Sequence, residues 1–263
     1  MDIATIVGLL IAFGALIVGI LIEGGHLGGF FNVSAGIIVL GGTTGAMIIC
    51  YPLKTVLGLP AVLKQAFFSK EIDSLEMMKT IIEFARKARR EGILVLEEDA
   101  KRLDNEFLKT GIQLVVDGTP ADLVREILET QVRAMEQRHQ TGECLFSTLG
   151  GFAPTLGILG TVMGLVHMLA SLDEPGKMGP AIAAAFIATL YGVGTANLIF
   201  LPIASKLKAR SQAESLSYEL GIEGVLSLQA GDNPRVVASK MASFLPPALR
   251  AQFEQETAGG GEG

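Results

Sequence analysis

Two sets of polar residues in this chain have types and spacing that could do work. The first is a charge reversal inside one hydrophilic stretch: Arg86, Lys87, Arg89 and Arg90, followed by Glu97, Glu98 and Asp99. On a continuous helix Arg89 and Glu97 share a face, although Gly92 falls between them and disfavours helix. Such a strip can meet a partner of complementary charge, or it is a solvated face with local pairs such as Glu97 with Lys101 at i, i+4. The second set is a sparse scatter of polar groups in otherwise apolar sequence: Thr155, Thr161, Thr189 and Thr195, with Tyr191, Asn197 and His167. Each threonine there either faces an ion or bonds back to its own helix backbone. His167 reads as an interfacial histidine.

What accompanies the threonines matters less than what does not. Ion pathways through membranes generally use Asp or Glu, because a titratable group must take and release the charge. None lies in the apolar stretches, so if the chain conducts ions, another chain supplies the titrating group. No phosphate-binding glycine loop, metal-ligand cluster or nucleophile-base constellation is present, which points away from an enzyme. No catalytic residue, cofactor or metal is expected. The net charge of −6 argues against nucleic acid. Cys50 and Cys144 lack both metal-ligand and disulfide-scaffold spacing and read as free thiols.

The elements that must position these residues follow from hydropathy. Of 263 residues 49% are hydrophobic and only 18% charged, with 32 glycines, too little charge for an ordinary water-soluble globule. Four stretches carry no Asp, Glu, Lys or Arg: Ile3 to Ile22, Gly24 to Leu53, Cys144 to Leu172 and Met178 to Ser205. Each is long enough to cross a bilayer as a helix, which takes about 20 residues. The expected fold is therefore all-α, an integral membrane protein with four transmembrane helices and a helical cytoplasmic domain. Residues 1–53 hold helices at about 3–22 and 33–52, and residues 54–143 a cytoplasmic helical domain. Residues 144–205 hold helices at about 145–171 and 179–204, and residues 206–263 a cytoplasmic helical segment with a disordered glycine-rich end. In the cytoplasmic domain Met77, Met78, Ile81, Ile82, Phe84 and Ala85 supply apolar faces, and a second helical pattern runs from Ala121 to about Gln140.

Fourteen of the 21 Lys and Arg lie between Lys54 and Arg138, six between Lys206 and Arg250, and only Lys177 on the other side. The positive-inside rule places both hydrophilic segments and both termini in the cytoplasm. Small residues recur at helical spacing in the spans: the pairs Gly41 and Gly45, and Gly160 and Gly164, and the stripe Ala181, Ala185, Ala188 and Gly192. They let helix backbones approach closely, within one subunit or between several. Pro154 and Pro202 each remove a backbone hydrogen bond within or near the end of a span, and kinks are expected there.

Several segments together carry a resemblance. Ala88 to Glu97 (ARREGILVLE), Pro154 to Leu165 (PTLGILGTVMGL), Ala188 to Gly192 (ATLYG), Asn233 to Arg235, and Ser243 to Pro247 resemble the flagellar stator subunits of the MotA and PomA family, in the expected order over nearly the whole chain. The resemblance implies a flagellar motor stator subunit of the inner membrane that forms, with a MotB-like B subunit, an ion channel coupling ion flow to torque. The B subunit would bring the membrane aspartate this chain lacks, and the A subunits would form a pentamer around a B dimer. Carried over by position, Arg89 and Glu97, with neighbours Arg90 and Glu98, would engage the rotor protein FliG. Pro154 and Pro202 would act in coupling, and Thr161 and Thr189, joined by Thr155, would face the ion path. Sodium-driven relatives tend to have two threonines before Leu-Tyr-Gly; here Ala188 precedes Thr189, which favours protons. Two rival readings stay open: a TolQ- or ExbB-like energiser of an outer-membrane system, which usually has three spans, and a passive membrane scaffold or channel.

Overall fold

The computed structural model describes residues 3–68, 73–247, 249–251 and 253. The glycine-rich end expected to be disordered lies outside the described residues. Every regular element among them is helical: α1 (Ile3–Ile22), α2 (Val33–Gly36), α3 (Gly42–Cys50), α4 (Leu53–Leu57), α5 (Leu59–Phe68), α6 (Ser74–Glu91), α7 (Leu96–Lys101), α8 (Glu106–Val116), α9 (Ala121–Leu169), α10 (Pro175–Thr195), α11 (Leu201–Gln229) and α12 (Pro234–Ala242). Four helices are long and apolar enough to span a membrane. The chain divides into two compact units, residues 1–70 with 139–209 and residues 71–138 with 210–263.

In the first unit, α1 is a 20-residue helix without a buried residue, apolar on every side. A helix with that surface is stable only against lipid or other helices. The second span begins where the Asn32 side chain accepts the Ala35 N–H at 2.9 Å, an N-cap that satisfies one orphan donor. It then widens into a π-turn at Ile37–Gly41 before continuing as α3. A second π-turn, Ala196–Phe200, separates α10 from α11 immediately ahead of Pro202. π-Turns shift the helical register by one residue, and a proline just downstream has no N–H to leave unpaired. Side chains take up neighbouring carbonyls: the Thr44 hydroxyl donates to the Leu40 oxygen (2.8 Å) and the Asn197 amide to the Val193 oxygen (2.9 Å).

Three expected boundaries move. The second span ends at Cys50, because Tyr51 is extended and Pro52 follows. Residues 54–68 were expected in the cytoplasmic domain but pack with the spans: Val56, Leu59, Val62, Leu63 and Phe67 cover a cluster of Met47, Leu145, Phe146, Leu149, Ile203 and Ala204. No new helix begins at 145, since α9 runs unbroken for 49 residues from Ala121. From Ala121 to Arg138 most residues are good helix formers, and the helix continues through Thr141 and Gly142, so the change from charged to apolar sequence alters the surroundings without breaking the backbone ladder.

The second unit has a true apolar core. Met77, Met78, Ile81, Ile82, Phe84 and Ala85 of α6 are buried with Leu96, Leu108, Ile112, Leu128, Leu220, Val225 and Met241. Each such side chain stabilises by about 1.5–3 kcal/mol when fully withdrawn from water. Its helices are closed by side-chain caps: Asp73 accepts from the Leu75 and Glu76 N–H groups, Asn105 from those of Phe107 and Leu108, and Asn233 from that of Arg235.

Candidate functional site

The seam between α9 and α10 is built of residues too small to hold the backbones apart. A Cβ on Gly192 would lie 2.5 Å from the Ala153 carbonyl oxygen and 2.9 Å from Gly157 Cα. One on Gly160 would meet the Ala188 methyl at 2.7 Å, and one on Gly164 the Ala185 methyl at 2.7 Å. Ala181 is also buried, 9% exposed. The seam thus holds five of the six small residues singled out in the third and fourth spans, Gly160, Gly164, Ala185, Ala188 and Gly192, and adds Ala153 and Gly157. Gly157 stands three residues before Gly160, so extending the small-residue stripe one turn would have found it. Gly41 and Gly45 differ: a Cβ on either meets nothing within 4 Å, and their neighbour Gly42 is the one against another helix, 3.0 Å from a Leu156 methyl.

This close approach brings Thr161 and Thr189 together. Their hydroxyls hydrogen-bond to each other across the seam, and the Thr161 oxygen also lies 3.0 Å from the Gly157 carbonyl and 3.1 Å from that of Ala185. The result is a knot of four uncharged oxygens from two helices, with backbone carbonyls exposed to it only because the seam residues lack bulk. Such a group can accept a proton donor or contact a cation weakly, but cannot hold a charge by itself. Thr155 does not join it: exposed on α9, it donates to the Phe152 carbonyl at 2.8 Å. Pro154 lies inside α9, about two turns before Thr161, and Pro202 is the second residue of α11, following the π-turn and Leu201.

Tyr191, two residues beyond Thr189 on α10, has a positioning role that its spacing did not reveal. Its hydroxyl donates to the Phe30 carbonyl at 2.8 Å and accepts the Asn32 N–H at 3.2 Å. It therefore ties the entry of the second span to α10, whose Ile187 and Ala188 are buried with Ala35 and Val39.

In the second unit the charged strip is folded back on itself. α6 ends at Glu91 because Gly92 has φ 88°, a conformation only glycine adopts readily, and a 3-10 turn at Ile93–Val95 leads into α7. Arg89 and Glu97 therefore do not share one helix face; they lie on either side of a reversal. Arg89 and Arg90 occupy the last turn of α6 and Glu97 and Glu98 the first turn of α7, each where the helix dipole favours its charge. Both arginines are exposed and have no ion pair among the described residues. Lys101 contacts Glu97 at 2.9 Å and Glu98 at 3.2 Å, and this pairing raises its pKa. Lys87 on α6 meets Asp99 on α7 at 2.5 Å, a clasp across the reversal that likewise raises the lysine's pKa.

Among the described residues no cluster of metal-ligating side chains occurs. Comparison with known proteins places this arrangement. Residues 6–92 match the motility protein A N-terminal model and residues 99–220 that of the MotA/TolQ/ExbB proton channel family. Motility protein A of Bacillus subtilis is 39% identical, covering 100% of this chain and 98% of the relative, and the chemotaxis protein PomA of Vibrio alginolyticus is 38% identical over 95% and 98%. The solved flagellar MotAB stator complex from Bacillus subtilis superposes with a TM-score of 0.89 at 39% identity, covering 95% of this chain and 99% of the other. MotAB of C. jejuni gives 0.89 at 31% identity, covering 94% and 97%. The match over residues 6–92 favours the stator reading over the TolQ- or ExbB-like one. With a carboxylate-free threonine seam, four spans and a charged reversal in a second helical unit, the chain belongs to the MotA/TolQ/ExbB proton channel family, among its motility protein A members.

Proposed function

We propose that this chain is the A-type subunit of a bacterial flagellar stator, an inner-membrane protein that works in a multimeric assembly with a MotB-type partner and couples ion flow to torque. The observation that carries this reading is the agreement with the flagellar MotAB stator complex over 95% of the chain. The charge-free spans support it, because a seam of neutral oxygens needs a carboxylate from elsewhere to carry an ion past it. In this reading the B subunit supplies an aspartate near Thr161 and Thr189, and five A subunits surround a B dimer. Both termini and the second unit are cytoplasmic, as the Lys and Arg distribution favours. The exposed Arg89 and Arg90, with Glu97 and Glu98, meet the rotor protein FliG.

Charge reversal tests the rotor contact. Arg89→Glu and Glu97→Lys, made singly in a motile host with the native B subunit, lower swimming speed at unchanged membrane level; normal motility in both singles and in the double variant removes the contact. The ion is proposed to be H+. Swimming that follows sodium concentration and survives a protonophore would overturn that assignment.

A further inference from the structure

Leu94 stands at the tip of the α6–α7 reversal and is 71% exposed, the most exposed large apolar side chain among the described residues of the second unit. Its neighbours behave otherwise: Ile93 packs against the core, Val95 is half-buried and Leu96 is fully buried. The 3-10 turn therefore turns one leucine outward alone. A single exposed leucine is commonplace; the setting of this one is not. Along the chain it follows Arg89 and Arg90, which have no ion pair among the described residues, and precedes Glu97 and Glu98, and the Lys87–Asp99 clasp joins the two sides. An apolar side chain held rigidly inside a charged rim has the layout of an interface anchor, since its burial costs little ordering entropy and the rim sets orientation.

We propose that Leu94 is the apolar anchor of the rotor contact, a reading that rests on the stator function proposed above. The charges specify the occupant. Arg89 and Arg90 have no ion pair among the described residues, whereas the single Lys101 meets two carboxylates, Glu97 and Glu98, so the tip offers its partner both signs, positive on the α6 side and negative on the α7 side. Its complement is a rotor surface with an apolar recess bordered by carboxylates where it faces α6 and by basic groups where it faces α7. Arginines align the recess by charge, and Leu94 contributes hold once water is excluded.

The test uses the full chain with its native B subunit in a motile host and compares Leu94→Asp, Leu94→Ala and Leu94→Met. Fluorescently tagged stator units engaged per motor, stall torque and membrane level are measured. Leu94→Asp is expected to cut engaged units about tenfold, the loss of one buried leucine side chain. Leu94→Ala falls between, and Leu94→Met stays near the parent, all at unchanged membrane level. Leu94→Cys is expected to crosslink to cysteines placed on the rotor protein. Parental engagement by Leu94→Asp, or crosslinking to a second copy of this chain instead, overturns the anchor. If Arg89→Glu and Glu97→Lys abolish torque while Leu94→Asp does not, the anchor alone fails; if none of the three has an effect, the rotor-contact reading fails with it.

Discussion

Adding one methyl group at Gly192 should separate the third and fourth spans. The new Cβ would sit 2.5 Å from the Ala153 carbonyl oxygen, 2.9 Å from Gly157 Cα and 3.2 Å from Gly157 N, all backbone atoms with no rotamer to give. Relief needs about 1 Å of helix displacement, and overpacking of this kind costs about 1–3 kcal/mol, against which alanine's better helix propensity returns about 1 kcal/mol. The displacement also falls one turn from Thr189, whose partner Thr161 is held 3.1 Å from the Ala185 carbonyl. Gly192→Ala is therefore expected to lose both stability, by up to about 2 kcal/mol net in an SDS unfolding titration of the purified complex, and ion flux in proteoliposomes. Gly160→Ala makes a different kind of clash, with the Ala188 methyl at 2.7 Å, so Ala188→Gly in the same chain should relieve it. Gly194→Ala, with nothing within 4 Å, is the control and should be neutral or stabilising. Gly192→Ala behaving like Gly194→Ala, or Ala188→Gly failing to rescue Gly160→Ala, would refute the close-contact account of the seam.

Thr161→Val keeps shape but removes the hydroxyl shared by Thr189 and two carbonyls, and should abolish ion flux at normal membrane level, while Thr189→Ser keeps it; equal flux in Thr161→Val and parent contradicts this. Tyr191→Phe deletes two hydrogen bonds to the start of the second span at a cost of about 1–2 kcal/mol, read as faster amide exchange at residues 30–35 with α10 unchanged. The clasp lysine, Lys87, has a raised pKa, so its contribution is fully present below the ordinary value of 10.5 and is lost only as pH rises through the raised one. Spin labels on α6 and α7 should accordingly report a constant separation from pH 6 to pH 9, an opening in stronger alkali, and an open reversal at every pH in Lys87→Met.

The sequence made the four spans legible because runs without Asp, Glu, Lys or Arg depend on composition alone, and the described residues of the first form the helix Ile3–Ile22. The buried face of α6 was legible for a similar reason, since Met77 to Ala85 repeat at the helical period. Partners across space were not. The π-turn at Ile37–Gly41 inserts a residue and rotates the span beyond it, so that Gly42 rather than Gly41 or Gly45 meets a neighbour. The reversal at Gly92 sets Lys87 against Asp99, twelve positions apart, a pairing that a continuous-helix count does not bring together. Lys101 was foreseen as a partner for Glu97, and the structure adds Glu98 to it. The kind of residue at the seam was readable from spacing, but the contact between Thr161 and Thr189 depends on how closely two helices 28 positions apart in sequence approach.

The four spans contain no fixed charge, and this has an electrical consequence. Moving one elementary charge through a membrane potential of 100 mV involves about 2.3 kcal/mol, whereas moving a neutral helix bundle through the same field involves none. However this chain turns about the bilayer normal, it does no work against the potential through side-chain charges of its own spans. The whole electrical term is left to the translocated ion and the group that carries it, so the voltage dependence of each step should report the ion's charge alone, and a lysine or aspartate introduced into the seam should change that dependence even where it leaves the packing intact.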